Sequence, residues 1–295
     1  MAIEVTYYSD PGCPWAYSVC PALAVLRWRY GEQLAWRLVA IGLTERAEQY
    51  IERGYTPARS ARGYLGFRRF GMPFSSQPRK RVVATGRACR AIVSTRLTFP
   101  GREFDVFRAL QLAWFTTSLL LDEDDQIATA LERVPELDVA AVLARLDDSE
   151  VTETYHSGRE EARSAAGSPT EFQGKAARTD GPVRYTAPSV VFGRGDVRLE
   201  AGGFQTIEAY DVLVANLDPT LERVPAPDDV FPVLQRFPGG LTTQEVAAVM
   251  ARGNDAPDRT GAEAALIDLV DAGLATRTPL ADDALWGPAA PAAAA

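Results

Sequence analysis

The chain has 295 residues, a formal net charge of −8, 46% apolar residues and 24% charged ones. That balance describes a globular chain able to bury one large core or two ordinary ones, and it argues against a general polyanion binder. No apolar run is long enough to cross a bilayer, so no membrane partner is expected.

Three cysteines, an odd number, do not make a disulfide framework, and the single histidine, His156, leaves little room for His-rich metal sites. No metal is therefore expected. Met1-Ala2-Ile3-Glu4 enters a strand at once with no signal peptide, which makes the cytoplasm the expected compartment. Only Lys80 and Lys175 stand against many arginines, a bias that points to a GC-rich bacterial genome.

Ile3, Val5 and Tyr7 alternate with Glu4, Thr6 and Tyr8, which predicts an opening strand. Pro11-Gly12 turns the chain, and Pro14 suits the first position of a helix. That helix runs on through Ala22, Leu23, Val25 and Leu26, with a bend expected at Pro21. "LAWRLVAIG" reads as a second strand. A mostly helical stretch follows from about 44 to 166, with its clearest helices over 79–97, 105–121 and 138–146. "APSVVF" and "VRLEAG" predict two more strands, and "TIEAYDVLVANL" a closing helix.

"PAPDD" (225–229) reads as a linker. Beyond it, "GLTTQEVAAVM" and "RTGAEAALIDLVDAGLATR" predict two helices, and Leu-Ala-Thr-Arg can pair with Ala-Leu-Trp as a hairpin. This is the cadence of a winged helix. Acidic residues outnumber arginines there, and Asp268 and Asp271 lie on the helix that would enter a DNA groove, where phosphate neutralisation needs the opposite sign. No nucleic-acid partner is expected; the piece reads as a packing or homodimerisation module. The tail "PAAPAAAA" reads as disordered.

The chemistry centres on "SDPGCPWA". Cys13 stands at the start of a helix, where unpaired amides and the dipole favour a thiolate, so a lowered pKa and a reactive thiol are expected. Position 16, where a second cysteine would belong, is Ala16. A monothiol can still attack a disulfide or an electrophile, but an outside thiol must resolve the product. The bland alternative is a vestigial site that kept only its shape. Cys20 lies about 10 Å further along the helix, beyond the roughly 7 Å limit for a disulfide, and reads as a helix-interior residue. Cys89 shares a stripe with Val82, Gly86, Val93 and Leu97 and reads as a core thiol. His156 reads as a surface helix residue. The segment "RGYTPARSARGYLGFRRFGMPF" is either a solvated region or a wall in which Arg59, Arg62, Arg68 or Arg69 holds an acidic or aromatic substrate.

A strand running into a Cys-Pro helix, with "TAPSVVF" and "EAGGFQTIEAY" far downstream, resembles the DsbA family of thioredoxin-fold proteins. The likeness is closest to its cytoplasmic branch of FrnE-like proteins, 2-hydroxychromene-2-carboxylate isomerases and kappa-class glutathione transferases. The resemblance implies an α/β, thioredoxin-like fold with a large helical insertion. The expected organisation is a DsbA-like domain over 1–224 with its insertion at about 44–180, a small winged-helix-like domain over 229–287, and a tail over 288–295.

The resemblance also implies that Ala187–Pro188 is cis and faces the Cys13 sulfur, with Pro14, Trp15, Ala187, Pro188 and Ser189 around the bound thiol or substrate. The function it implies is a thiol oxidoreductase working through a mixed disulfide with a small thiol. The alternatives are a thiol-dependent isomerase or transferase, or a non-catalytic interaction protein. No tightly bound cofactor is expected. Kappa-class enzymes hold glutathione with a Ser-Asp pair where this chain has Gly202-Gly203-Phe204-Gln205, which argues against glutathione and leaves another thiol, such as mycothiol, as the candidate.

Overall fold

The structure is a computed structural model that describes residues 2–179 and 181–289. The elements in chain order begin with β1 (Ile3–Ser9), α1 (Pro14–Ser18), α2 (Cys20–Tyr30) and β2 (Leu34–Ala40). The helical insertion follows: α3 (Ala47–Glu52), α4 (Pro57–Phe67), α5 (Gly86–Thr98), α6 (Glu103–Thr116), α7 (Asp124–Leu131), α8 (Val139–Ala144), α9 (Ser149–Ala162) and α10 (Pro169–Phe172). A two-residue pair, β3 (Ala176–Ala177) and β4 (Arg184–Tyr185), leads to β5 (Ser189–Arg194), β6 (Val197–Gly202) and α11 (Ile207–Leu217). The last part holds α12 (Phe231–Arg236), β7 (Leu241–Thr242), α13 (Thr243–Met250), α14 (Arg259–Asp271), β8 (Ala275–Leu280) and β9 (Asp283–Pro288).

The central sheet has the order β2-β1-β5-β6, with β1 parallel to β2 and the other pairs antiparallel. Ile3, Val5 and Tyr7 point into the main core as their alternation predicts. This is the thioredoxin-like architecture with a helical insertion between β2 and β5.

The first helix breaks at Val19 rather than bending at Pro21, so Cys20 opens α2 instead of lying inside a helix. Pro21 falls in the first turn, where its missing N–H costs nothing. α2 is buried on both sides: Leu23, Leu26 and Tyr30 join the main core, while Ala24, Val25 and Trp28 join a second core with Val233, Val246, Leu266 and Trp286. Burying a large apolar side chain stabilises by about 1.5–3 kcal/mol, so the last sixty-odd residues are docked firmly. The stretch before them is pinned as well: the Trp28 indole donates to the Pro225 carbonyl at 2.8 Å, and the Val224 amide to the Arg29 carbonyl at 2.9 Å.

The final part runs helix, short strand, two helices, hairpin, with sheet order β7-β9-β8. Arg277 faces Trp286 across the hairpin. The strand β7 is an addition to the sequence reading. The end of the tail, from residue 290, lies outside the described residues.

Two helix boundaries differ from the expected ones. Residues 79–85 are an irregular, non-helical segment, and α5 starts only at Gly86, because the Thr85 and Gly86 amides both donate to the Thr44 carbonyl. Arg79 meanwhile donates to the Leu119 and Trp114 carbonyls. α6 stops at Thr116, where the Thr116 and Thr117 hydroxyls donate back to the Leu112 and Ala113 carbonyls, each at 2.7 Å.

Candidate active site

β1 delivers its last residues to a tight turn. The Asp10 carboxylate accepts from the Gly12 amide at 2.8 Å, and the Asp10 carbonyl from the Cys13 amide at 3.2 Å. Cys13 is then the cap of α1, with extended backbone and Pro14 as the first helical residue.

The thiol donates to the Ala187 carbonyl oxygen at 3.0 Å, and the Ala187–Pro188 bond is cis. This contact joins residues 174 positions apart. Pro188 is buried.

Cys13 is only 6% exposed and sits in a cluster with Tyr8, Ala16, Ile41, Tyr185 and Ala187. The Tyr8 and Tyr185 rings stack there at 4.4 Å. The methyl of Ala16, which is fully buried, belongs to the same cluster.

The expected lowering of the Cys13 pKa is not what this environment produces. Burial pushes the thiol up to about 12. The Ala16 amide pulls it down and the Asp10 carboxylate pushes it further up, while the Trp15 amide and the Arg184 guanidinium pull down. The helix terminus is present, but desolvation of the charged form outweighs it.

Asp10 is the residue that sequence reasoning missed. It is fully buried, and its carboxylate also accepts from the Leu43 amide at 2.8 Å, the Thr85 hydroxyl at 2.9 Å and the Cys89 thiol at 3.6 Å. Burial raises its pKa and these donors oppose that rise. Cys89 is therefore a core thiol, as expected, but one tied to the active-site turn. Tyr50 belongs to this surround too: burial holds its phenol well above its ordinary range, with further upward pushes from Asp10 and Cys13.

Trp15, two residues on from Cys13, is 40% exposed. Its ring meets Phe67 at 4.8 Å, Phe70 at 5.6 Å and Phe204 at 5.6 Å, and Phe70 meets Phe204 at 4.7 Å. The wall is thus aromatic. Of the candidate arginines, Arg59 donates to the Gly54 carbonyl, Arg68 donates to the Phe74 carbonyl, Arg69 lies over the Phe70 ring, and Arg62 is exposed on α4. None of them is seen reaching the sulfur.

Ser189 directly follows the cis Ala187–Pro188 bond. It is fully buried, and its hydroxyl accepts from the Gly203 amide at 3.3 Å. Its work is to hold the Gly203–Phe204 turn, in which Gly203 has φ +72°.

Cys20 is half-buried and faces away from this cluster, beside Gln111 of α6. All three cysteines are free thiols. His156 is exposed on α9 beside the Tyr155 ring. Among the described residues no cluster of metal-ligating side chains occurs, and no helix is long and apolar enough to cross a membrane.

No family model matches the chain, and no curated protein matches it in sequence. Its fold does match solved structures. A protein described as a disulfide isomerase from Nitrosomonas europaea aligns with TM-score 0.55 at 17% identity, covering 73% of this chain and 97% of the other. The cytosolic disulfide reductase DsbM from Pseudomonas aeruginosa aligns at 0.52 and 15% identity, covering 74% and 100%. A protein described as a DsbA oxidoreductase from Streptomyces coelicolor aligns at 0.52 and 15% identity, covering 76% and 93%. The chain has the thioredoxin-like fold of these DsbA-type structures, and its Cys13 stands where β1 hands over to α1.

Proposed function

We propose that the protein is a cytoplasmic DsbA-like thiol oxidoreductase that works with Cys13 as its single nucleophile. The observation that carries this reading is the Cys13 Sγ–Ala187 oxygen contact across a cis Ala187–Pro188 bond. Ala16 denies Cys13 the usual neighbouring partner, Cys20 faces another cavity, and Cys89 is buried on α5. Resolution therefore falls to an outside small thiol, with glutathione disfavoured by Phe204 and mycothiol the candidate.

In the first step the Cys13 sulfur attacks a disulfide R–S–S–R′. A Cys13–S–S–R bond forms, the S–S bond of the substrate breaks, and the Cys13 proton leaves with R′–SH. In the second step a small thiol R″–SH attacks the mixed disulfide, releases R–S–S–R″ and returns its proton to Cys13. Two electrons move in each exchange, and no other oxidant or reductant is needed. The closed rim keeps the resting thiol protonated. Displacing Trp15 from Phe204 admits water and substrate, and in that state the Trp15 and Ala16 amides favour the attacking thiolate.

The raised Cys13 pKa supports a second reading, in which the protonated thiol donates a hydrogen bond to the sulfur of a bound thiol, as in the serine-based isomerases. The two readings separate in one assay: reduction of 2-hydroxyethyl disulfide by mycothiol or glutathione. Cys13→Ser abolishes turnover if Cys13 is the nucleophile. Retained activity in Cys13→Ser favours the hydrogen-bonding reading.

A further inference from the structure

Away from Cys13, a cavity of about 530 Å³ opens between α2, α6 and the start of the C-terminal part. That is within the range of small-molecule sites. Its apolar walls come from Leu23, Phe104, Phe107, Leu112, Phe237 and Leu241.

Its charges are unbalanced. Five arginines line it (Arg27, Arg102, Arg108, Arg133 and Arg236) against Asp105, Glu136 and Glu245. Glu245 Oε2 binds Arg108 and accepts from the Thr242 amide and hydroxyl at 2.8 and 2.9 Å. Arg102 binds Asp105. Arg27, Arg133 and Arg236 have no ion-pair partner among the described residues. Arg27 lies instead over the Trp36 and Phe104 rings at 5.0 and 4.9 Å, half-buried.

A second, independent feature is Gln111, which is 1% exposed. Its Oε1 accepts from the Cys20 thiol at 3.7 Å, while its buried Nε2 has no partner. A buried amide donor without an acceptor costs about 1–3 kcal/mol unless something fills the site.

We propose that this cavity is a binding site for a small monocarboxylate with an apolar body, its carboxylate accepting from Arg27 and Gln111 Nε2 and its body lying along Leu23, Phe107 and Leu112. Cationic donors, one orphaned amide and apolar walls match that class. An uncharged lipid would leave Arg27 and Gln111 unpaired. Cys20 in the wall reports occupancy.

The test is calorimetric titration of the full chain with decanoate and with 2-naphthoate, using decanol as the uncharged control. Saturable binding of either carboxylate, at least tenfold tighter than decanol, is expected. Bound carboxylate should also slow N-ethylmaleimide labelling of Cys20 at least threefold while leaving the labelling of Cys13 unchanged. Arg27→Gln and Gln111→Leu should each weaken binding about tenfold. If either variant fails to fold, Arg133→Gln at the exposed rim should still weaken binding severalfold. No saturable binding by either carboxylate, affinity equal to decanol, or unaltered Cys20 labelling at saturation overturns the proposal. The result is independent of Cys13, so its failure leaves the thiol chemistry untouched.

Discussion

The Cys13 thiol donates to the Ala187 carbonyl at 3.0 Å, so the sulfur at the start of α1 is held as a protonated donor by the residue that leads into the neighbouring strand β5. That contact, together with the aromatic cover, decides how the thiol behaves.

With its pKa pushed up to about 12 from an ordinary value of 9.0, Cys13 should label with iodoacetamide at a rate that keeps rising past pH 10 without a plateau. At pH 7.5 it should react at least about a hundredfold more slowly than a free thiol. The sign for stability follows: a raised folded-state pKa means that the protonated thiol stabilises fully below pH 9.0, and this is lost as pH rises towards 12. A labelling plateau below pH 9 in the resting protein contradicts this account of the site.

Asp10 pushes the Cys13 thiol up and accepts four hydrogen bonds. Asp10→Asn should shift the Cys13 labelling profile to lower pH. It should also destabilise the fold by about 1–3 kcal/mol, because an amide cannot accept from all of these donors. Urea unfolding and the pH profile measured on the same variant separate the two effects. An unmoved profile removes Asp10 from the electrostatics of the site.

A Cβ at Gly12 would lie 2.6 Å from Thr85 Cγ2 and 2.9 Å from Trp114 Cζ2. Gly12→Ala should therefore displace the turn that carries Cys13 and lower stability by about 1–3 kcal/mol. Unchanged unfolding would show that the turn has room that the structure does not show.

Much of the scaffold was legible in the sequence, because β1, β2, β5 and β6 carry alternating or continuous apolar runs and the Cys-Pro and Ala-Pro motifs mark their ends. What periodicity misses is set by distant partners. The non-helical 79–85 segment depends on the Thr44, Trp114 and Leu119 carbonyls, which no local pattern encodes. The motif announces a helix N-terminus beneath Cys13 but is silent on Tyr185 and Ala187, whose packing helps to reverse the expected pKa shift. Asp10 was readable in "SDPG" as a turn-forming carboxylate, whereas its contacts with Leu43, Thr85 and Cys89 were not.

The Trp15 ring, two residues on from Cys13, meets Phe204 at 5.6 Å. Phe204→Ala should open this contact and speed Cys13 labelling at pH 8 roughly tenfold, with the Cys89 rate unchanged. Equal rates in variant and wild type would place the barrier elsewhere.

Ala16 faces the Cys13 cluster, and positions three apart on a first helical turn can be bridged. Ala16→Cys should form an intramolecular disulfide between Cys13 and the introduced thiol under mild oxidant, seen as a loss of two hydrogens in the intact mass. Two persistently free thiols there would mean that the turn geometry forbids the bridge.

The most direct test of Cys13 as sole nucleophile is the intact mass of the protein equilibrated with 2-hydroxyethyl disulfide at pH 8.5, with the adduct located by peptide mapping. The account predicts a mercaptoethanol adduct on Cys13 that excess thiol removes, that survives Cys20→Ser, and that adding Cys13→Ser to Cys20→Ser eliminates from the peptide "GCPWAYSVC". Wild-type protein with Cys13 unmodified while Cys20 alone carries the adduct contradicts it.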